Sequence, residues 1–163
     1  MLSRTAENLY WISRYMERAE TTARLIDVGY RMSLFPNPNG HNNEWESVLA
    51  AAGAITGYKE KYNSITQNNV EDYLFFDEGN PSSIFNCILN ARKNALIVRT
   101  SFTPESWLAI NKAYQEILKL KENKFVTSDL PNLTEWTIEQ VNLFRGSISS
   151  LLRNDGYNFP FLG

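Results

Sequence analysis

The 163-residue chain predicts an all-α fold, an antiparallel helical bundle of about five to six helices. Three observations carry that expectation. Apolar residues recur at steps of three and four along most of the chain. Two cap-then-proline signals, Asn80-Pro81 and Thr103-Pro104, open apolar stripes of that kind. No window alternates with period two for long, so no strand is expected. With 43% apolar and 13% aromatic residues, the chain fits a single domain spanning 1–163 with a core of its own.

The elements follow in order. Residues 4–33 carry Leu9, Ile12, Met16, Ala19, Ala23, Ile26 and Tyr30 on one stripe, with Ser3 as N-cap. The run Phe35-Pro36-Asn37-Pro38-Asn39-Gly40 ends that helix. Residues 44–56 form a second helix with Trp45, Val48, Leu49, Ala52 and Ile55, and a short third lies near Val70 to Phe76. Asn80 caps a helix with Ile84, Ile88, Ala91, Ala95, Val98 and Phe102. Thr103 caps the next, with Trp107, Ile110, Tyr114 and Ile117. Asn123 to Leu133 is a connection, and Thr134 caps a final helix with Val141, Phe144, Ile148 and Leu151. Gly146 inside that helix points to a close helix approach or a kink.

Composition removes several function classes. The net charge is -2, so no surplus of positive charge is available for nucleic acid. The longest apolar run, Val48 to Ile55, is too short for a membrane span. No basic start followed by an apolar stretch marks a secretory signal. One Cys fits a reducing compartment, and the expected location is the cytoplasm. One His excludes most zinc constellations, and it lies in no predicted helix, against a di-iron bundle. Phosphate-cradling loops and nucleophile elbows are absent, which favours a module over an enzyme; no metal and no cofactor is expected. Cys87 with His41 has the residue types of a thiol nucleophile and base, but Cys87 flanks an apolar stripe and reads as core.

The first helix concentrates the charged candidates. All five basic residues before residue 59 are Arg, whereas all seven Lys fall between Lys59 and Lys124. Arg tolerates burial and pairs bidentately with carboxylates, so the first helix is expected to be central and its charges to face protein. Glu17, Glu20, Arg24, Asp27 and Arg31 share one sector, with Arg14 and Arg18 on the next. Glu20–Arg24 and Asp27–Arg31 are acid-first i,i+4 pairs. Two readings stay open. One is an ion-pair network that fixes register. The other is a polar core pocket in which Glu17 and Glu20 bind a cation or amine and Arg24 a carboxylate or phosphate. Asn80 and Ser82 stand at a helix start, where an anion site or an ordinary cap is expected. Arg92 and Arg99 are spaced by seven, as a pair that salt-bridges to the first helix or joins its pocket; Arg145 and Arg153 form a similar pair spaced by eight.

Several blocks resemble the bacterial alpha-E domain family. They are Ser3-Arg4-Thr5-Ala6-Glu7-Asn8-Leu9-Tyr10-Trp11, Arg14-Tyr15-Met16-Glu17-Arg18-Ala19-Glu20 and Ala23-Arg24-Leu25-Ile26-Asp27-Val28. Phe76-Asp77, Asn80-Pro81-Ser82-Ser83-Ile84, Ala91-Arg92, Asn94-Ala95, Val98-Arg99 and Phe144-Arg145-Gly146 extend the likeness along nearly the whole chain. Lys93 and Leu96 depart from the family pattern, which commonly has an acid and a base there, and this weakens a role for that face. The resemblance implies an all-helical domain with no established reaction, found beside or fused to ATP-grasp proteins that resemble carboxylate–amine ligases, with transglutaminase-like proteins as further neighbours. It also implies members about twice as long, with a second Glu-Arg-Ala-acid motif. Residues 155–163 resemble the approach to that motif, so a truncated or half-length chain is expected. Such a chain exposes apolar surface and is expected to form a homodimer burying more than roughly 1,200 Å². Three functions are carried forward: a module accessory to an ATP-grasp-type ligase in peptide synthesis or modification, an enzyme with a core Glu/Arg site, and a purely structural fragment.

Overall fold

The computed structural model describes residues 3–36, 43–123 and 129–154, with the helix path alone for 43 and 150–154. Its elements are α1 (Ser3–Ser33), α2 (Asn43–Ala51), α3 (Ile55–Lys61), α4 (Gln67–Phe75), α5 (Ile84–Ile97), α6 (Pro104–Glu122) and α7 (Leu130–Asn154), with a 3-10 turn at Arg99–Ser101. The described residues are therefore all helix and connection, in seven helices rather than five or six. The extra helix arises at Gly53. Its φ of +66° lies in the left-handed region that side chains with a Cβ resist, and it divides the expected 44–56 helix into α2 and α3.

Local chemistry sets the other boundaries. Thr103 caps α6 as the sequence indicated, its hydroxyl accepting the Ser106 N–H, and Thr66, which the sequence reading did not single out, caps α4 by accepting the Asn69 N–H. Ser83, not Asn80, caps α5, accepting the Asn86 N–H. That helix ends at Ile97, and the 3-10 turn carries the chain on to Phe102. α7 begins at Leu130, four residues before the expected cap. Asp129 accepts the Asn132 N–H at 3.4 Å, while Thr134 lies within the first turns and donates to the Pro131 carbonyl. Ser3 lies within α1 rather than capping it from outside.

Four long helices, α1, α5, α6 and α7, pack in a closed cycle: α1 on α5 and α7, and α6 on α5 and α7. Their core has two parts. One contains Ile12, Met16, Ala91, Ala95, Ile110 and Phe144. The other contains Ala23, Ile26, Ile84, Ile88, Ala113 and Leu133, and α2, α3 and α4 add Trp45, Tyr58 and Phe75 to it. Each long helix runs from one part to the other, and neighbours in the cycle do so in opposite senses.

Gly29 lets α2 approach α1. A Cβ there would stand 2.6 Å from Val48 and 3.1 Å from Trp45, both buried. Gly146 has no such reason. It is exposed, and a Cβ would meet nothing within 4 Å, so the expected close approach is not found. Gly29→Ala is therefore expected to lower stability by about 1–3 kcal/mol through overpacking. Gly146→Ala should raise it by about 1 kcal/mol through helix propensity. Denaturant unfolding of both variants checks the pair; equal effects would contradict the packing described.

Candidate functional site

α1 presents two contrasting faces. Ile12, Met16, Ala19, Thr22, Ala23, Ile26 and Gly29 are buried. The opposite face carries Tyr10, Arg14, Glu17, Arg18, Thr21, Arg24, Val28 and Met32, all exposed. The expectation that the arginines of α1 face protein is thus corrected: Arg4, Arg14, Arg18, Arg24 and Arg31 are all exposed. α1 is central, but its neighbours in the cycle cover one side of it only.

The charged candidates pair along this open side. Arg14 reaches Glu17 at 3.3 Å, and the two side chains remain 52% and 56% exposed. Arg31 meets Asp27 at 3.0 Å. Arg18 makes no ion pair among the described residues. Glu20 is the exception to exposure, with 14% of its side chain accessible. One of its oxygens accepts from Arg24 Nη2 at 2.9 Å and Nε at 3.1 Å. The other accepts from Arg145 Nη2 at 2.6 Å, which ties α7 to α1 across 125 positions of sequence. The Arg145 bond, with Arg24 beside it, holds the Glu20 carboxyl below the usual value even though burial acts the other way. Asp27, half-buried, takes no part in this node.

A shallow cavity of about 110 Å³ lies between α1 and α7, lined by Ser13, Met16, Glu17, Phe144, Arg145 and Ile148 among others. It reaches Glu17 and Arg145 but is small beside the roughly 300–1,000 Å³ of ligand pockets. Glu17 and Glu20 do not converge on it as a cation cage, since each is engaged by an arginine.

The remaining candidates fall elsewhere. Asn80 is buried; its amide donates to the Tyr73 carbonyl at 3.0 Å and its Oδ1 accepts the Ser82 N–H at 3.1 Å. Asn86 donates to the carbonyls of Glu78 and Asn80, so this loop is closed by its own side chains. Arg92 and Arg99 do not reach α1 charges. Arg92 Nε donates to Asn111 at 3.1 Å and its guanidinium lies 4.5 Å from the centre of the Tyr114 ring and 6.0 Å from Trp107. Arg99 lies 5.0 Å from the same indole. Cys87 is buried and its thiol is pushed up to about 12 by burial, so it is an unreactive core group, and His41 lies outside the described residues. Sequence reasoning missed Trp107, Asn111 and Tyr114 as partners of these arginines. Their i, i+4, i+7 spacing facing an Arg pair was the available signal.

The whole chain, residues 1–163, matches the family model Alpha-E, a predicted alpha-helical domain with a conserved ER motif. The chain belongs to the Alpha-E family. Its one Glu-Arg step is Glu17-Arg18, so the motif of this Alpha-E domain sits on the open face of α1. No curated protein and no solved structure matches the chain. Among the described residues, no helix is long and apolar enough to cross a membrane.

The Glu20 node gives a pH signature. Its folded carboxyl titrates below the unfolded one. The stability it adds is therefore full above the ordinary carboxylate range and is lost as pH falls through the folded value. Glu20→Gln is expected to cost about 1 kcal/mol near neutral pH, with the difference from wild type closing as pH falls through the lowered carboxyl value. Denaturant unfolding across that range checks this; a difference independent of pH would contradict it.

Proposed function

We propose that this Alpha-E domain is a helical interaction module that docks an ATP-grasp-type carboxylate–amine ligase through the open face of α1, in peptide synthesis or modification in the cytoplasm. The observation that supports this reading is the outward position of the Glu17-Arg18 motif. Folding gains little from these charges: the exposed Arg14–Glu17 pair contributes roughly 0–1 kcal/mol, and Arg18 makes no ion pair among the described residues.

The residues around the motif suit a docking face. Tyr10 is 57% exposed and Trp11 43%, packed edge to face at 5.4 Å. Tyr10, Arg14 and Arg18 follow at steps of four, which places them along one line of the helix. Trp, Tyr and Arg dominate the binding energy of protein interfaces. Val28 and Met32 near the end of the same helix, and Leu34 and Phe35 just beyond it, expose apolar surface. In the free chain a second copy would cover this face, giving the homodimer; a transglutaminase-like protein is the alternative partner.

The reading of an enzyme in its own right has less support. It calls for Glu17, Glu20 and Arg24 around an enclosed site, whereas Arg24 and Glu17 are exposed and the cavity beside Glu17 is small. A purely structural role leaves the exposed Tyr10–Trp11 pair without a purpose.

Calorimetric titration of the domain into an ATP-grasp-type ligase and, separately, a transglutaminase-like protein tests the proposal. Trp11→Ala and Glu17→Arg are each expected to weaken ligase binding at least ~tenfold, about 1.4 kcal/mol, with unfolding midpoints unchanged. Ligase binding unaffected by both substitutions, or binding to the transglutaminase-like protein alone, would overturn it.

A further inference from the structure

We infer that Arg92 and Arg99, on the α5–α6 side of the bundle and apart from the docking face, form a binding site for the phosphate or carboxylate group of a small molecule. The inference rests on how these two guanidinium groups are held. Arg14, Arg24, Arg31 and Arg145 each meet a carboxylate. Arg4, Arg18, Arg92 and Arg99 meet none among the described residues, but of these four it is Arg92 and Arg99 that aromatic rings hold in place. The Trp107 indole lies against both, and Tyr114 and Asn111 fix Arg92 further.

Aromatic contact orients a guanidinium without neutralising it, because the ring offers a quadrupole and no charge. The Arg92 Nε is spent on Asn111, which leaves its terminal N–H groups for another acceptor. With its Oδ1 occupied, Asn111 has its amide N–H groups to offer as well. The site thus combines two positioned cations with neutral donors, the composition that suits an oxyanion.

Local sequence keeps acids away. Between Glu78 and Glu105 the chain has no acidic residue, a stretch that includes all of α5 and the 3-10 turn, and Lys93 adds a third positive charge there. On α6, Glu116 faces α7, where it accepts the Trp136 indole N–H at 2.7 Å, and it also pairs with Lys112. Glu105 precedes Trp107 by two residues, which places it about 160° round the helix from the ring. In a chain with net charge -2, this face carries two arginines that meet no carboxylate among the described residues. Ordering two guanidinium groups in advance removes part of the entropic cost of binding, which is the advantage the aromatic clamp provides.

The test is titration of the full chain with inorganic phosphate, and separately with citrate, at fixed ionic strength, with chloride as the reference anion. The Nε–H signals of Arg92 and Arg99 and the Trp107 indole N–H are followed by NMR. Saturable shifts of these three signals are expected with at least one oxyanion and not with chloride. Saturation by phosphate alone assigns a phosphoryl ligand, and saturation by citrate alone a carboxylate ligand. Arg99→Gln, at an exposed position, should weaken binding about tenfold or more with folding intact. Arg99→Lys should recover only part of it, because the charge returns without the planar fork. Arg24→Gln should leave it unchanged. Shifts that stay linear and equal for chloride, phosphate and citrate, or an Arg99→Gln variant that binds as wild type does, would overturn the inference.

Discussion

The architecture depends on burying one side of a single 31-residue helix. Along α1, Ile12 and Met16 enter one part of the core while Ala19, Ala23 and Ile26 enter the other. The alanines are short, and Ala91 and Ala95 on α5 are short as well, so the two backbones can lie close along their length. Burial of this stripe supplies the non-directional driving force. The Glu20–Arg145 bond then adds direction, because it links α1 to the far end of the chain. α5 and α7 both lean on the same side of α1. That arrangement closes the cycle through α6 and leaves the opposite side of α1 open to solvent.

The fold was legible where one signal decided an outcome. The three/four spacing on α1, α5 and α6 reads directly as helix, and Thr103-Pro104 marks the start of α6 because a hydroxyl acceptor and a preset φ act at the same point. The start of α7 was harder, since Asp129 and Thr134 are both acceptable caps by type and the choice lies in how Leu130 and Leu133 pack. Gly53 lies inside the apolar run Val48 to Ile55, and its positive φ is a property of the turn it makes between α2 and α3. Gly29 and Gly146 look alike as sequence, and only the presence of Trp45 and Val48 beside Gly29 separates them.

The site was less legible than the fold. The helical wheel groups Glu17, Glu20, Arg24 and Asp27 correctly, and both acid-first pairs form. What a wheel does not hold is which sector a neighbour covers. Arginine tolerates burial, but on α1 its long side chain spans the helix surface and the charge stays wet. Arg145 was linked to the first helix as a salt-bridge candidate, and that contact forms. Arg92 and Arg99 were placed with it, yet their partners are aromatic rings on α6.

This division of faces organises the functional reading. The family motif, the exposed Tyr10–Trp11 pair and the apolar end at Met32 and Phe35 lie along one helix, whereas the clamped arginines belong to another side of the bundle. One surface suits a protein partner and the other a small anion, and neither calls for an interior active site. The most direct measurement of the underlying claim uses adjacent positions on α1: thiol labelling of Thr21→Cys and Thr22→Cys chains at low protein concentration. Thr21 is exposed and Thr22 buried, and native Cys87 is an internal standard for protection. The account requires the thiol at 21 to label within about tenfold of the unfolded rate, with the thiol at 22 as protected as Cys87. Equal protection at both positions would mean that the motif face is covered, and would contradict it.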